Sequence, residues 1–270
     1  MTRPIVFLSD YGLQDEYVGV CHGVMARIAP DAGVVDLTHA VPAHDVARGA
    51  TILAGSVRFM PERAVFLAVV DPGVGMERRA VAVETGSGSV LVGPDNGLLS
   101  LAWDEMGGPT RAVAITSEEV LLSPVSHTFH GRDVFAPAAA HLARGLALDE
   151  LGPEVAVEAL VRISFPQPAV EPDRLQAVVL ATDRFGNLQL AARLLDLEAA
   201  GLAGVKRLEV TAGDQVILAR PVRTFGELRS TEAGITVDSA GFLALVVNGG
   251  SAALAFGLGS GDEVRLARPA

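Results

Sequence analysis

Val69-Val70-Asp71-Pro72-Gly73-Val74-Gly75-Met76-Glu77-Arg78-Arg79 is the stretch on which the reading of the fold turns. The apolar run before it, residues 64–70, predicts a buried strand. It ends on a carboxylate followed by Pro and two Gly, so the chain must turn sharply after Asp71. Arg78 and Arg79 then lead into a second apolar run, residues 80–83. Strand, stiff loop and strand together place Asp71 and Arg78 at the mouth of a sheet, where open α/β sheets bind ligands. Read locally, the same residues also suit a tight turn closed by an Asp–Arg ion pair.

Upstream, residues 5–8 predict a short buried strand that ends at Ser9-Asp10-Tyr11-Gly12. Asp15 is expected to cap a helix over 17–28, where Tyr17, Val20, Cys21, Val24, Met25 and Ile28 recur at helical spacing. A second strand over 34–37 runs into Thr38-His39 and the loop to His44-Asp45, which caps a helix over 46–59. This alternation predicts a mostly parallel sheet between helices. Three strand ends thus carry polar groups: Asp10, Thr38-His39 and Asp71. Downstream, residues 80–83 and 90–92 read as a hairpin, 93–97 as a rigid turn, 98–106 as a helix holding Trp103, and 112–115 as a strand. His130, beside Gly131, precedes a helix over 134–144 and suits a proton acceptor or a ligand contact. His22 and His141 read as structural or surface residues.

The chain has 270 residues and is 50% hydrophobic, enough for one large domain or two ordinary ones. A net charge of −11 argues against a nucleic-acid partner, which requires a basic face. The one cysteine, Cys21, excludes an intrachain disulfide, fits a reducing compartment and reads as a small buried residue. The apolar run after Met-Thr-Arg-Pro is too short for a signal peptide or a membrane span, so a cytoplasmic protein is expected.

Residues 151–173 are rich in Pro and read as a linker. Beyond them come short β-like runs over 175–181, 207–210, 215–219, 235–237, 242–247 and 263–267, broken by helical pieces over 194–200 and 251–258. They predict a small, mainly antiparallel β domain or partly open barrel. The expected fold is therefore an α/β N-terminal domain, 1–160, with a mostly parallel sheet between helices. A smaller β-barrel-like domain, 161–270, follows it.

Gly73-Val74-Gly75 leads into a strand and lacks a third Gly, so it is no dinucleotide fingerprint. The chain has no phosphate-cradling Gly-Lys-Ser/Thr loop, no Gly-x-Ser-x-Gly elbow and no zinc-spaced Cys/His cluster. On local reading, a metal site built from Asp10, Asp15, Asp71 and His130 stays open.

The ordered set of motifs is more specific than any one of them. It comprises Ser9-Asp10-Tyr11-Gly12, Asp71-Pro72-Gly73-Val74-Gly75 with Arg78, Gly93-Pro94-Asp95-Asn96-Gly97, Phe129-His130-Gly131-Arg132-Asp133, Asp183 with Phe185-Gly186-Asn187, and Asp238-Ser239 with Asn248. It resembles the S-adenosyl-L-methionine (SAM) hydroxide adenosyltransferases, the hydrolytic relatives of fluorinase and chlorinase, over nearly the whole chain. The resemblance implies hydrolysis of SAM to adenosine and L-methionine without metal or cofactor. It implies a homotrimer with each SAM held between the N-terminal domain of one subunit and the C-terminal domain of the next. By resemblance, Asp71, Arg78 and His130 position and activate the water, a set the halogenating relatives lack. Asp10 binds the ribose hydroxyls. Asp183 and Ser239 hold the methionine amino and carboxylate groups. Asn187 and the backbone around Val247 and Gly249 meet the adenine edge, and Phe185 and Phe225 pack on its faces. His44 stands where the fluorinase has a ribose-contacting Trp, and Ala240 where it has an Arg. The halogenases also carry an insertion between the hairpin strands, where this chain has a short Gly/Ser turn. The competing readings are a halide-dependent SAM-cleaving enzyme and a non-catalytic SAM or adenosine binding module.

Overall fold

The computed structural model describes residues 2–213 and 215–269. The chain forms two compact units, Met1–Ile163 and Ser164–Ala270. Among the described residues no helix is long and apolar enough to cross a membrane.

The first unit runs β1 (Ile5–Ser9), α1 (Tyr17–Ile28), β2 (Val34–Thr38), α2 (Val46–Ser56), β3 (Val65–Val69), β4 (Ala80–Thr85), β5 (Val90–Pro94), α3 (Ser100–Glu105), β6 (Pro109–Ala114) and α4 (Ala136–Ala143). Its strands form one mixed sheet in the order β2-β1-β3-β5-β4-β6. The first three and β5 are parallel, while β4 pairs antiparallel with β5 and β6. Every residue of β1, β3 and β5 is buried, as expected for strands covered on both faces. Alternate side chains feed two cores. Ile5, Phe7, Val65, Leu67 and Val69 meet Cys21, Met25 and the alanines of α4. Val6, Leu8, Phe66, Ala68 and Val70 meet Leu53, Leu99 and Trp103. Burial pushes the Cys21 thiol up to about 12, so it is an inert core residue rather than a nucleophile.

Two local expectations fail here. The N-cap of α1 is Glu16, with no side-chain capping bond, so Asp15 does not cap it; Asp45 does cap α2, accepting from Arg48 N at 2.9 Å. The linker reading of 151–173 also fails in its first half. Leu160 is buried, Val161 N donates to Asp95 Oδ1 at 2.8 Å and Ile163 N donates to Ser100 Oγ at 3.1 Å. Pro153 breaks regular structure there without freeing the chain from the first unit.

The second unit runs β7 (Ala169–Glu171), β8 (Arg174–Thr182), β9 (Leu188–Arg193), α5 (Leu194–Ala199), β10 (Leu208–Ala212), β11 (Gln215–Pro221), β12 (Ala233–Val237), β13 (Phe242–Val247), α6 (Ala252–Phe256) and β14 (Glu263–Ala267). The order β14-β10-β11-β12-β13-β9-β8 returns on itself through a β14–β8 pairing, so the barrel is closed rather than partly open, with β7 added outside β8. Every pairing is antiparallel except β11 with β12. Leu175, Ala177, Val179, Leu188, Leu190, Leu208, Val210, Leu245, Val264 and Leu266 fill its core. Strand β9 was not foreseen, because its run Leu188-Gln189-Leu190-Ala191-Ala192-Arg193 passes into α5 with no breaker between them.

Candidate functional site

The loop between β3 and β4 carries the first group. Asn96 donates through Nδ2 to the Val70 carbonyl at 2.8 Å and so braces the backbone just before Asp71. The chain then turns twice, with Val74 N bonded to Asp71 O and Met76 N to Gly73 O. Gly75 has φ +76° and lies against the His127 carbonyl, where a Cβ would sit 2.4 Å from the oxygen. No other residue fits there. The loop returns Arg78 onto Asp71. Arg78 Nε lies 3.0 Å from each Asp71 carboxylate oxygen, and Nη2 lies 2.5 Å from Oδ2. The two side chains are only 11% and 6% exposed, so this is a buried fork rather than a surface pair. The Phe135 ring covers the guanidinium at 5.1 Å. The neighbouring Arg79 is tied to Asp95, which fixes where β4 begins.

His130 comes from a distant loop. Buried Asp133 accepts from Ser126 N and from Arg132, which shapes the segment before α4. His130 caps a single π turn, Gly131–Phe135, that leads into α4. The Arg78 Nη2 and His130 Nδ1 atoms lie 2.7 Å apart. A guanidinium has no acceptor, so Nδ1 accepts and the neutral ring carries its proton on Nε2. Burial, reinforced by the Arg78 charge, holds the His130 pKa below its ordinary value of 6.5.

Asp10 follows β1. Its Oδ2 accepts from His44 N at 2.9 Å, and His44 is held at φ +67°, an unusual conformation for a side-chain-bearing residue. The backbone of His44, not its imidazole, thus orients Asp10. Tyr11, which sequence reasoning quoted but gave no role, packs on Phe129 and Tyr17 and presses its hydroxyl against Gly131. Burial raises its phenol well above 10.0, so it stays a neutral group.

The barrel carries the second group. Phe185, Asn187, Phe225, Val247, Asn248, Gly249 and Gly250 line one cavity of about 530 Å³. Asp183 underlies it: Oδ1 accepts from Phe185 N at 2.8 Å and Asn187 N at 2.9 Å, and Oδ2 accepts from Asn187 Nδ2 at 2.7 Å. With its amide nitrogen so engaged, Asn187 has its carbonyl oxygen left for a donor. Ser239 is not among the cavity-lining residues. It sits in the β12–β13 turn, whose Asp238 accepts from Ala240 N, Phe242 N and Gln189.

The metal site left open on local reading does not fit these positions. Asp71 and His130 both converge on Arg78, whose guanidinium occupies the place a shared cation would take. Phe135 supports the site without having been singled out, since helical periodicity alone marks it only as core, while Asp133 was quoted within the His130 motif but given no role.

Comparison with known proteins places the chain in a family. Residues 5–152 match the SAM hydroxide adenosyltransferase N-terminal domain, and residues 177–265 match the corresponding C-terminal domain. The chain is 48% identical to a protein of Salinispora tropica named (R)-S-adenosyl-L-methionine hydrolase, over 97% of each chain. A protein of that name from Thermus thermophilus is 45% identical, over 98% of this chain and 99% of the relative. A fluorinase of Actinopolyspora mzabensis is 32% identical, over 99% and 98%. The solved structure of an uncharacterized conserved protein from Thermotoga maritima superposes with a TM-score of 0.91 at 34% identity, covering 98% of this chain and all of that one. The chain belongs to the SAM hydroxide adenosyltransferase family.

Proposed function

We propose that this protein hydrolyses SAM to adenosine and L-methionine. The water oxygen forms a bond to ribose C5′ as the C5′–S bond breaks. Sulfur keeps the electron pair as the neutral thioether of methionine, and the water loses one proton. The leaving group needs no acid, so catalysis lies in aligning the water and excluding solvent. The observation that carries this reading is the Asp71–Arg78–His130 assembly. It stands in a chain 48% and 45% identical to relatives named as hydrolases and 32% identical to one named fluorinase. Arg78 stabilises developing hydroxide charge. Neutral His130 offers Nε2–H to the water oxygen, and Asp71 takes the proton, since Nδ1 of His130 is already engaged by Arg78. No cofactor enters this scheme.

Asp10 accepts the ribose hydroxyls with the lone pairs His44 N leaves, beside the His44 side chain. Adenine enters the barrel cavity between Phe185 and Phe225. It presents its amino group to Asn187 Oδ1 and its ring edge to the backbone around Val247 and Gly249. The methionine ammonium takes the remaining acceptor capacity of Asp183, and Ser239 meets the carboxylate. The water-positioning set lies in the first unit and the adenine cavity in the second. We propose that a homotrimer joins them across subunits. Supporting this, Leu13, Met76 and Phe185 on the site loops are 76%, 74% and 68% exposed and call for cover. A cytoplasmic location fits a chain with one cysteine and no disulfide.

The test is chelator-treated protein incubated with SAM, with and without fluoride or chloride, following products by chromatography beside Asp71→Ala. Adenosine and methionine without halide, abolished in the variant while its circular dichroism is unchanged, support hydrolysis. A halogenated nucleoside formed only with halide supports the halogenase. Retained SAM with no product supports the binding module.

A further inference from the structure

Away from the water-positioning set, α1 and the end of β2 bring together three metal-ligand side chains. His22 Nε2 lies 2.8 Å from Asp36 Oδ1, His39 Nε2 lies 3.1 Å from the same oxygen, and all three donor atoms fall within 4.8 Å of one another. The sequence alone showed His22 as a surface or structural residue, because no zinc spacing links it to Asp36-x-x-His39.

The His39–Asp36 approach is an ion-pair contact that does not meet hydrogen-bond geometry. The His39 Nε2 is buried without a hydrogen-bond partner on a side chain only 3% exposed. The other ring nitrogen, Nδ1, is 2.7 Å from Ser9 Oγ. When Nδ1–H donates to Ser9, the Nε2 lone pair points toward Asp36, and two electron-rich atoms face each other unless a cation joins them. That arrangement is also how metal-bound imidazoles are held, one nitrogen on the ion and the other fixed by a neighbouring oxygen. Phe7 packs against both imidazoles, with ring centres 4.6 Å from His39 and 6.0 Å from His22. The side chains of His22 and Asp36 are 33% and 45% exposed, leaving an entry path and room for water as a further ligand.

We propose that His22, Asp36 and His39 form a binding site for one divalent transition-metal ion of the zinc class. Two nitrogens and one oxygen suit Zn²⁺ and disfavour Ca²⁺ and Mg²⁺, which prefer oxygen-only shells. Tetrahedral ligands at zinc lie about 3.3 Å apart, so each nitrogen–oxygen pair, now 2.8 and 3.1 Å, opens by up to about 0.5 Å, and the two nitrogens, within 4.8 Å of each other, adjust through the partly exposed His22 side chain. Bound there, the ion ties α1 to β2 and, through Ser9, to the segment that carries Asp10. It takes no part in the hydrolysis proposed above.

The experiment uses untagged, chelator-stripped protein titrated with Zn²⁺ and, for spectroscopy, Co²⁺. One saturable equivalent per chain is expected, with visible cobalt absorption of a low-coordinate site and a rise in melting temperature on adding Zn²⁺. His22→Gln and Asp36→Asn change partly exposed side chains and retain the fold by circular dichroism. Each should weaken Zn²⁺ binding at least ~100-fold, and Ser9→Ala about 10- to 100-fold. No saturable uptake, or uptake unchanged in His22→Gln, overturns the site whether or not the protein turns over SAM.

Discussion

Replacing Arg78 by Lys tests whether the guanidinium acts by shape as well as charge. Arg78 makes three contacts to Asp71, from Nε at 3.0 Å to each oxygen and from Nη2 at 2.5 Å, and one to His130 at 2.7 Å. A lysine ammonium keeps the charge but is a single point, so it cannot grip the carboxylate as a fork and reach Nδ1 in the same plane. At least one charge-assisted bond is lost, about 1.5–3 kcal/mol. If that bond serves the transition state, kcat falls about 10- to 150-fold. The KM for SAM should change little, because the contacts proposed for ribose, adenine and methionine fall on other residues. The assay is adenosine release at saturating SAM, beside thermal melts to confirm the fold. A folded Arg78→Lys protein with kcat within about twofold of the parent refutes the reasoning, since charge alone would then suffice.

Two further outcomes follow from the same geometry. His130 is held below its ordinary 6.5 by burial and Arg78, so it stays neutral as pH falls to that value and gains its proton only below it. The acid limb of kcat/KM should therefore fall below pH 6.5; a midpoint above it, or the same limb in His130→Gln, rules out this residue as the titrating group. A Cβ on Gly131 would meet Tyr11 Oη at 1.9 Å and Cζ at 2.9 Å. Gly131→Ala should thus lose about 1–3 kcal/mol in denaturant unfolding, partly recovered by Tyr11→Phe; parental stability in the single variant would show that the contact is slack.

The first unit was legible because its strands are continuous apolar runs separated by helices of clear period. The pairing of Asp71 with Arg78 was legible for a similar reason: they lie seven residues apart on one stiff loop. His130 lies 52 residues from Arg78, and no spacing rule predicts that contact; it came only through resemblance. Barrel closure was hidden because the β14–β8 pairing is non-local and leaves no mark in either strand's alternation. Residues 151–163 misled in the opposite sense, since Pro153 and the prolines beyond it at 166, 168 and 172 report broken backbone regularity and not solvent exposure. His39 is the clearest case of information absent from sequence: its burial and its unpartnered nitrogen arise from the packing of β1, β2 and α1.

Closure also sets an order on biogenesis. The strand that seals the barrel is the last in chain order, and until it arrives β8 and β10 each present an unpaired edge. During synthesis the first unit can mature while the nascent barrel remains open and prone to pairing with foreign strands. The step most exposed to quality control is therefore the docking of five residues, Glu263–Ala267. A frameshift or proteolytic nick that removes them would leave Asp71, Arg78 and His130 in place and open the barrel whose rim carries the cavity lined by Phe185, Asn187 and Phe225.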